Sequence, residues 1–187
     1  MNMKRQGGFS MTEVLVSILL LSSGVVGMMG LQMASTRTTQ QSSYQTMALL
    51  LAAEIADTVG SMMADEVHSH AVEPLFNLDY TSMPGTPPAP ESSCHFLTCG
   101  TSEFAAFEIN EWKTRLAANF PTARLRICRD GNPWNEAAQA YKWDCSAESA
   151  DAPFVVKVGW KVKNPDGSYA KEDSGFPPSV VIPVASV

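Results

Sequence analysis

One carboxylate, Glu13, lies near the start of a long apolar stretch, where it is well placed for a specific charge interaction. No charged side chain follows it between Val14 and Thr36, and no Lys or Arg occurs between Arg5 and Arg37. An ionised acid in a membrane segment costs about 2.5–3.5 kcal/mol at the bilayer centre, less toward the ends, and usually marks a partner. The sequence therefore predicts that Glu13 binds a cation that no neighbouring side chain supplies.

Cleavage between Gly8 and Phe9 would create that cation. Gly7 and Gly8 come before the apolar stretch, whereas an ordinary secretory signal is cut after its apolar region. A cut here removes a short basic leader, residues 1–8, and leaves an α-amine four residues before Glu13, about one helical turn away. The new amine of the same chain, or of a neighbouring copy, is the expected partner of the carboxylate.

The segment that carries Glu13 is predicted to be one long helix from about residue 9 to residue 65. Residues 9–36 are apolar on all sides and long enough to span ~30 Å of hydrocarbon. Residues 37–65 have apolar positions three or four apart, which indicates an amphipathic helix packed by one face on a head domain. The apolar positions of that face are Tyr44, Met47, Ala48, Leu51, Ile55, Val59 and Met62.

The run Gly8-Phe-Ser-Met-Thr-Glu13, followed by Val-Leu-Val, resembles the class III leader of type IV prepilins and pseudopilins. In that family a prepilin peptidase cuts after the glycine, the new aromatic N-terminus is methylated, and the glutamate directs the subunit into a filament. The resemblance implies these roles for Gly8, Phe9 and Glu13. It also implies a single-pass inner-membrane protein with a cytoplasmic N-terminus and a periplasmic head, which moves to the pilus or cell surface on assembly.

Two other interpretations apply to this segment. One is a plain signal anchor, and the other is a secretory signal cut near Ala34, which the acid in the apolar region disfavours. Three glycines, Gly24, Gly27 and Gly30, each weaken the helix by about 0.8–1 kcal/mol relative to alanine. They indicate either a stretch that unwinds in a filament, as in related pilins, or a surface where neighbouring helices approach closely.

The remainder, residues 66–187, is long enough for one periplasmic or extracellular head domain with its own core. Residues 68–100 are predicted to be a loop. An aromatic-rich helix is expected before Pro121, with Phe104, Phe107, Ile109, Trp112, Leu116 and Phe120 on its apolar face. Strands are predicted at 123–129, 154–160 and 179–185, the last at a sheet edge because it contains Pro183. The predicted fold is α+β and type IV pilin-like, with the long helix packed on a small antiparallel sheet.

Four cysteines, all beyond the apolar stretch, indicate two disulfides in an oxidising compartment. Three pairings are possible, and Cys94–Cys99 with Cys128–Cys145 is expected because each closes a local loop. A structural zinc site is the rival interpretation, but neither pair has the usual zinc-ligand spacing. We therefore predict no metal site.

Charge is unevenly distributed along the chain, whose net charge is −6. Between residues 38 and 112 there are acids but no Lys or Arg, and basic residues follow soon after, at Lys113, Arg115, Arg124, Arg126 and Arg129. The favoured interpretation is that these segments fold together and neutralise one another. The alternative is a polarity that orients one subunit against another.

The head also resembles the type IV pilus modification protein PilV family of minor pilins, through the Glu111-Trp-Lys113 helix, the cysteine-bearing strand and the later Val-x-Val-x-Trp strand. The resemblance implies a minor pilin that enters or primes a type IV pilus. Its expected partners are other minor and major pilins, prepilin peptidase and the inner membrane before assembly. No catalytic residue, cofactor or nucleic-acid partner is predicted. A minor pseudopilin of a type II secretion system, or a binding module at a pilus tip, is the alternative.

Overall fold

The computed structural model describes residues 8, 10–64, 74–83, 88, 94–96, 98–146, 152–162 and 175–185. Phe9, the leader residues 1–7 and the predicted helix end at residue 65 therefore lie outside the described residues. The two helices are α1 (Met11–Met63) and α2 (Thr101–Asn119). The strands are β1 (Asp79–Thr81), β2 (Ala123–Arg129), β3 (Trp134–Asn135), β4 (Ala140–Tyr141), β5 (Phe154–Trp160) and β6 (Val180–Pro183).

The chain divides into two compact units, Met1–Ser43 and Tyr44–Val187. In the first unit, every described residue of α1 is exposed. In the second unit, α1 contributes buried residues to the core, among them Ile55 and Val59. The predicted apolar face is therefore present from Tyr44 onward. The prediction was wrong for Met47, which was expected on this face but has 45% of its surface exposed.

Helix α2 follows the predicted pattern with one exception. Its core-facing residues include Phe107, Trp112 and Leu116, all buried. Phe104, expected on the same face, is 41% exposed. It lies in the first turn of the helix, at the end farthest from Phe120. The helix ends at Phe120, whose backbone N–H donates to the carbonyl of Leu116, before the proline that blocks further helix.

The four-stranded sheet has the order β1-β2-β5-β6, and every neighbouring pair is antiparallel. This sheet with the long helix confirms the predicted α+β class. Ala123, Leu125 and Ile127 of β2 are buried at alternate positions, as a strand packed on a core requires. Strand β1 corrects the prediction of a continuous loop over residues 68–100.

Strand β5 is buried on both faces along its whole length. On the face away from the helices it is covered by chain from two directions. A Cβ at Gly159 would lie 2.7 Å from the carbonyl oxygen of Pro177 and 2.9 Å from the Trp143 ring. Glycine is therefore required at this position by the close approach of its neighbours.

Strand β6 lies at the edge of the sheet, as Pro183 predicts. Val180–Pro183 pairs with β5 alone among the described strands. The backbone N–H of Val184 donates to Phe154 O at 2.8 Å, so the alternate position, Pro183, would point its N–H away from β5. The proline therefore costs the ladder no hydrogen bond.

Candidate functional site

Glu13 lies in the first turn of α1, with its side chain exposed. The turn is formed by the carbonyl of Ser10, which accepts the N–H of Glu13 at 3.0 Å and that of Val14 at 3.3 Å. An acid in the first turn interacts favourably with the positive end of the helix dipole. The helix therefore accommodates the carboxylate without burying it, and leaves it open to a partner.

The surface that follows Glu13 is a continuous apolar helix surface. Large side chains there are half to three-quarters exposed, as at Leu15 (67%), Leu21 (69%) and Leu31 (74%). Among the described residues, α1 is the one helix long and apolar enough to cross a membrane, judged by length and composition. An exposed apolar surface of this extent needs lipid or other protein around it.

The three glycines of this segment face open space. A Cβ at Gly24, Gly27 or Gly30 would meet nothing within 4 Å. The helix is continuous through all three. Their lack of side chains thus leaves shallow depressions on the exposed surface, where another helix can approach closely.

The structure places Gly8 as an exposed residue before the helix. Phe9 lies outside the described residues, so its amine and Glu13 are not brought together here. Their pairing stays a prediction.

The head contains two disulfides, Cys94–Cys99 and Cys128–Cys145. The first precedes α2. The second joins the end of β2 to Cys145. Between them the chain leaves the sheet, and we call the described residues 130–146, which contain the β3–β4 hairpin, the excursion. No free cysteine and no cluster of potential metal ligands occurs in the part of the chain that the structure describes.

A buried ion pair, Asp130 with Lys157, holds this excursion on the sheet, and the sequence analysis did not find it. Both side chains have no exposed surface. Lys157 Nζ also donates to the carbonyl oxygens of Lys142 at 2.9 Å and Asp144 at 2.8 Å. The ammonium thus has an acceptor for each of its three protons. The one local signal is a lysine in the middle of a valine-rich strand, and it does not identify the partner.

Asp130 is satisfied from several directions as well. It accepts hydrogen bonds from the Asn132 N–H at 3.0 Å and the Ser146 hydroxyl at 3.0 Å, besides the Lys157 ammonium. Burial tends to raise the pKa of the Asp130 carboxyl, but these donors outweigh it and hold the pKa below its ordinary value. Burial lowers the pKa of Lys157, against the opposing effect of the carboxylate.

The remaining charges of the head form surface pairs that join the acidic and basic parts of the chain. Arg115 binds Glu54 with two hydrogen bonds, one of them 2.8 Å long. Arg124 binds Asp79 with two, of 2.8 and 2.7 Å. The hydrogen bonds from these arginines lower the pKa of each carboxyl. The pairs support the interpretation that the two charged segments neutralise one another.

The family model described as the prokaryotic N-terminal methylation motif matches residues 3–29. The motif supports a type IV pilin-like protein. The matched segment includes Gly8, Phe9 and Glu13 and the start of the apolar helix surface. No curated protein and no solved structure matches the chain significantly.

A motif of this kind suggests interaction with other pilins and processing by prepilin peptidase. The apolar half of α1 fits membrane anchoring followed by pilus assembly. The long helix and the four-stranded antiparallel sheet are consistent with the type IV pilin fold.

Proposed function

We propose that this chain is a minor pilin of the PilV kind, which enters a type IV pilus or primes its assembly, and that it is not an enzyme. The observation that carries the proposal is the exposed apolar surface of α1, which has an acid in its first turn and no cation after it until Arg37. Such a surface is unstable in water and suits a membrane first and a filament core afterwards.

The proposed domain organisation follows from this surface. Residues 1–8 are a leader removed by prepilin peptidase. Residues 9–36 span the membrane and later line the filament core, residues 37–65 carry the helix into the head, and residues 66–187 complete the head outside the cytoplasm. Lys4 and Arg5 hold the leader in the cytoplasm, because cations beside a span resist translocation.

The proposed assembly step is the pairing of two charges in an apolar environment. Cleavage after Gly8 exposes the amine of Phe9, which becomes methylated and keeps its positive charge. In a filament this amine binds Glu13 of the same or a neighbouring subunit. Each charge is costly in a medium of low dielectric constant and is stabilised by the other, so the pair fixes the axial position of the incoming helix.

A minor pseudopilin of a type II secretion system is the second candidate, because the methylation motif fits pilins and pseudopilins equally. The two systems differ in the proteins that accompany the subunit. Neighbouring genes for pilus minor subunits favour the first candidate, and genes for secretion components favour the second.

Processing is tested first. N-terminal sequencing of the membrane form should begin at methylated Phe9, and Gly8→Ala should slow the cut. A chain that starts at Met1, or near Ser35, contradicts the proposed leader.

Assembly is tested with Glu13→Ala. We expect roughly a tenfold or greater loss of the subunit from sheared surface fibres, since removing one partner of a desolvated charge pair costs about 2–5 kcal/mol. Crosslinks to other minor pilins should fall in parallel, while cleavage after Gly8 and the head disulfides are retained. Asp57→Ala removes an exposed acid from the head half of the same helix and is the matched control. Equal incorporation of both variants contradicts a role for Glu13.

A further inference from the structure

The excursion between β2 and β5 forms an open pocket on the head that the assembly role does not use. The pocket encloses about 550 Å³ and is lined by Asn132, Trp134, Asn135, Glu136, Ala137 and Lys142. It belongs entirely to the head unit, Tyr44–Val187. Neither the apolar half of α1 nor the methylation motif contributes to it.

The pocket is pre-formed because the chain around it is fixed at several points. The Cys128–Cys145 disulfide closes the excursion, and Lys157 from β5 binds the carbonyl oxygen of Lys142 on the pocket wall. Within the hairpin, Asn135 Oδ1 accepts the backbone N–H groups of Ala137 at 3.0 Å and Ala138 at 3.1 Å. A ligand therefore meets an ordered wall, and little entropy is lost in ordering it.

One wall is aromatic. Trp134 and Tyr141 face each other across the β3–β4 hairpin, with ring centroids 5.1 Å apart and planes at 79°. Both side chains are only half-buried, and the tryptophan lines the pocket. An indole ring offers an apolar face of fixed orientation, and this is the usual way in which a mostly open site gains contact area.

The polar groups of the pocket are available to a ligand. The Asn132 side-chain amide makes no hydrogen bond with any described residue, and the Lys142 ammonium forms no ion pair with one. Among the described residues, the Glu136 carboxylate accepts one long contact, of 3.4 Å, from Gln139. Donors and acceptors therefore surround the indole, and the opposite charges of Glu136 and Lys142 give the lining no net charge.

We propose that this pocket binds a sugar unit of a neutral carbohydrate. A pyranose ring presents apolar C–H groups on a face and hydroxyl groups around its edge. The C–H face packs on Trp134, and the hydroxyl groups donate to Glu136 and accept from Lys142 and the Asn132 amide. An anionic ligand such as a phosphate fits less well, because Glu136 opposes Lys142. This inference does not depend on the assembly role proposed above.

The test uses the full-length chain in detergent micelles, labelled with ¹⁵N and titrated with the methyl glycosides of glucose, galactose, mannose, N-acetylglucosamine and N-acetylgalactosamine. We expect at least one sugar to shift the indole N–H signal of Trp134 saturably. Followed through the backbone amide signals of the pocket residues, Trp134→Ala should weaken binding about tenfold or more, and Glu136→Gln several-fold, because these groups contact the sugar directly. Phe96→Ala, which removes an aromatic side chain that is 92% exposed and lies outside the pocket, should leave the affinity unchanged.

Each variant is checked for the Cys128–Cys145 disulfide and for an unchanged unfolding temperature. Lys142→Met, which keeps the carbonyl bonded to Lys157, provides a second measurement if Trp134→Ala fails to fold. The proposal is overturned if no sugar in the panel shifts Trp134, or if Trp134 and Lys142 variants bind as tightly as the unaltered chain. It is also overturned if the Trp134 variant loses crosslinks to other pilins while no sugar binds, because the pocket is then a subunit contact.

Discussion

The two units of this protein place the same kinds of residue in opposite environments. In Met1–Ser43, leucines such as Leu19 (68%) and Leu21 (69%) are mostly exposed. In Tyr44–Val187, Ile55 and Val59 of the same helix are fully buried. Both parts are helical, so what differs is whether the folded chain itself supplies a covering surface. The head has its own core, whereas the first unit needs lipid or other subunits to cover it.

Charge follows the same division. Glu13 has no side-chain cation among the residues that follow it up to Arg37, so the partner proposed for it comes from the chain terminus or another molecule. In the head, Asp130 is paired internally and completely buried. The interaction proposed for Glu13 is one made on assembly, whereas the buried pair of Asp130 stabilises the fold of the head.

The largest effect that would separate the two units is expected at Asp130. Asp130→Ala leaves the Lys157 ammonium buried without a counter-ion, which we expect to lower the free energy of unfolding of the head by about 3–5 kcal/mol. Cleavage after Gly8 should continue, because the proposed cleavage site lies outside the head unit and does not require a folded head. Denaturant unfolding followed by near-UV circular dichroism measures the first quantity, and N-terminal sequencing the second.

Asp79→Ala is the matched control, because it breaks a partly exposed ion pair with Arg124, worth about 0–1 kcal/mol. A double variant, Asp130→Leu with Lys157→Met, should recover much of the lost stability by replacing both charges with apolar groups. If Asp130→Ala costs no more than Asp79→Ala, the buried pair does not hold the excursion on the sheet.

A smaller effect is expected from the disulfides, and it should differ between them. Cys128–Cys145 joins residues 17 apart and Cys94–Cys99 residues 5 apart. In the chain-entropy description, closing these loops stabilises the head by about 3 and about 2 kcal/mol respectively. Replacing each pair by alanine and measuring thermal unfolding tests the order. Equal losses, or a larger loss at Cys94–Cys99, would contradict it.

The smallest and most gradual effect is expected on acidification. Folding holds the pKa of Asp130, Asp79 and Glu54 below their ordinary values. The unfolded chain therefore takes up protons first as pH falls, and stability that is complete above about pH 5 is lost as pH decreases through the folded-state pKa values. Burial raises the pKa of Glu108, which opposes this trend weakly. Unfolding temperature measured from pH 6 to pH 3 tests the direction, and Asp79→Asn should flatten the curve.

Elements defined by local sequence were predictable from that sequence alone. Strand β2 occupies the predicted residues because its alternation needs no information from elsewhere. The methylation motif is local in the same sense. Strand β1 has only three residues and is defined by its pairing with β2, so its own sequence carries too little signal.

The burial of Lys157 depends on residues far from it in sequence and was not predictable from its own strand. Lysine is ordinarily exposed. Here the excursion from β2 covers it and supplies a carboxylate and two carbonyl oxygens. The requirement for glycine at position 159 was unpredictable for the same reason. The residues that exclude a side chain there are distant in sequence, at positions 143 and 177–178. The pocket beside Trp134 depends on the same folded excursion.

The proline at the edge of the sheet has a consequence for a head that, in the proposed role, lies among other pilin heads. An open strand edge is a template on which another chain can add a strand, and dense packing of heads raises the effective concentration for such mispairing. Pro183 removes one outward donor from β6 at no cost to its pairing with β5. At this position, the head is protected against edge-to-edge aggregation with neighbouring sheets.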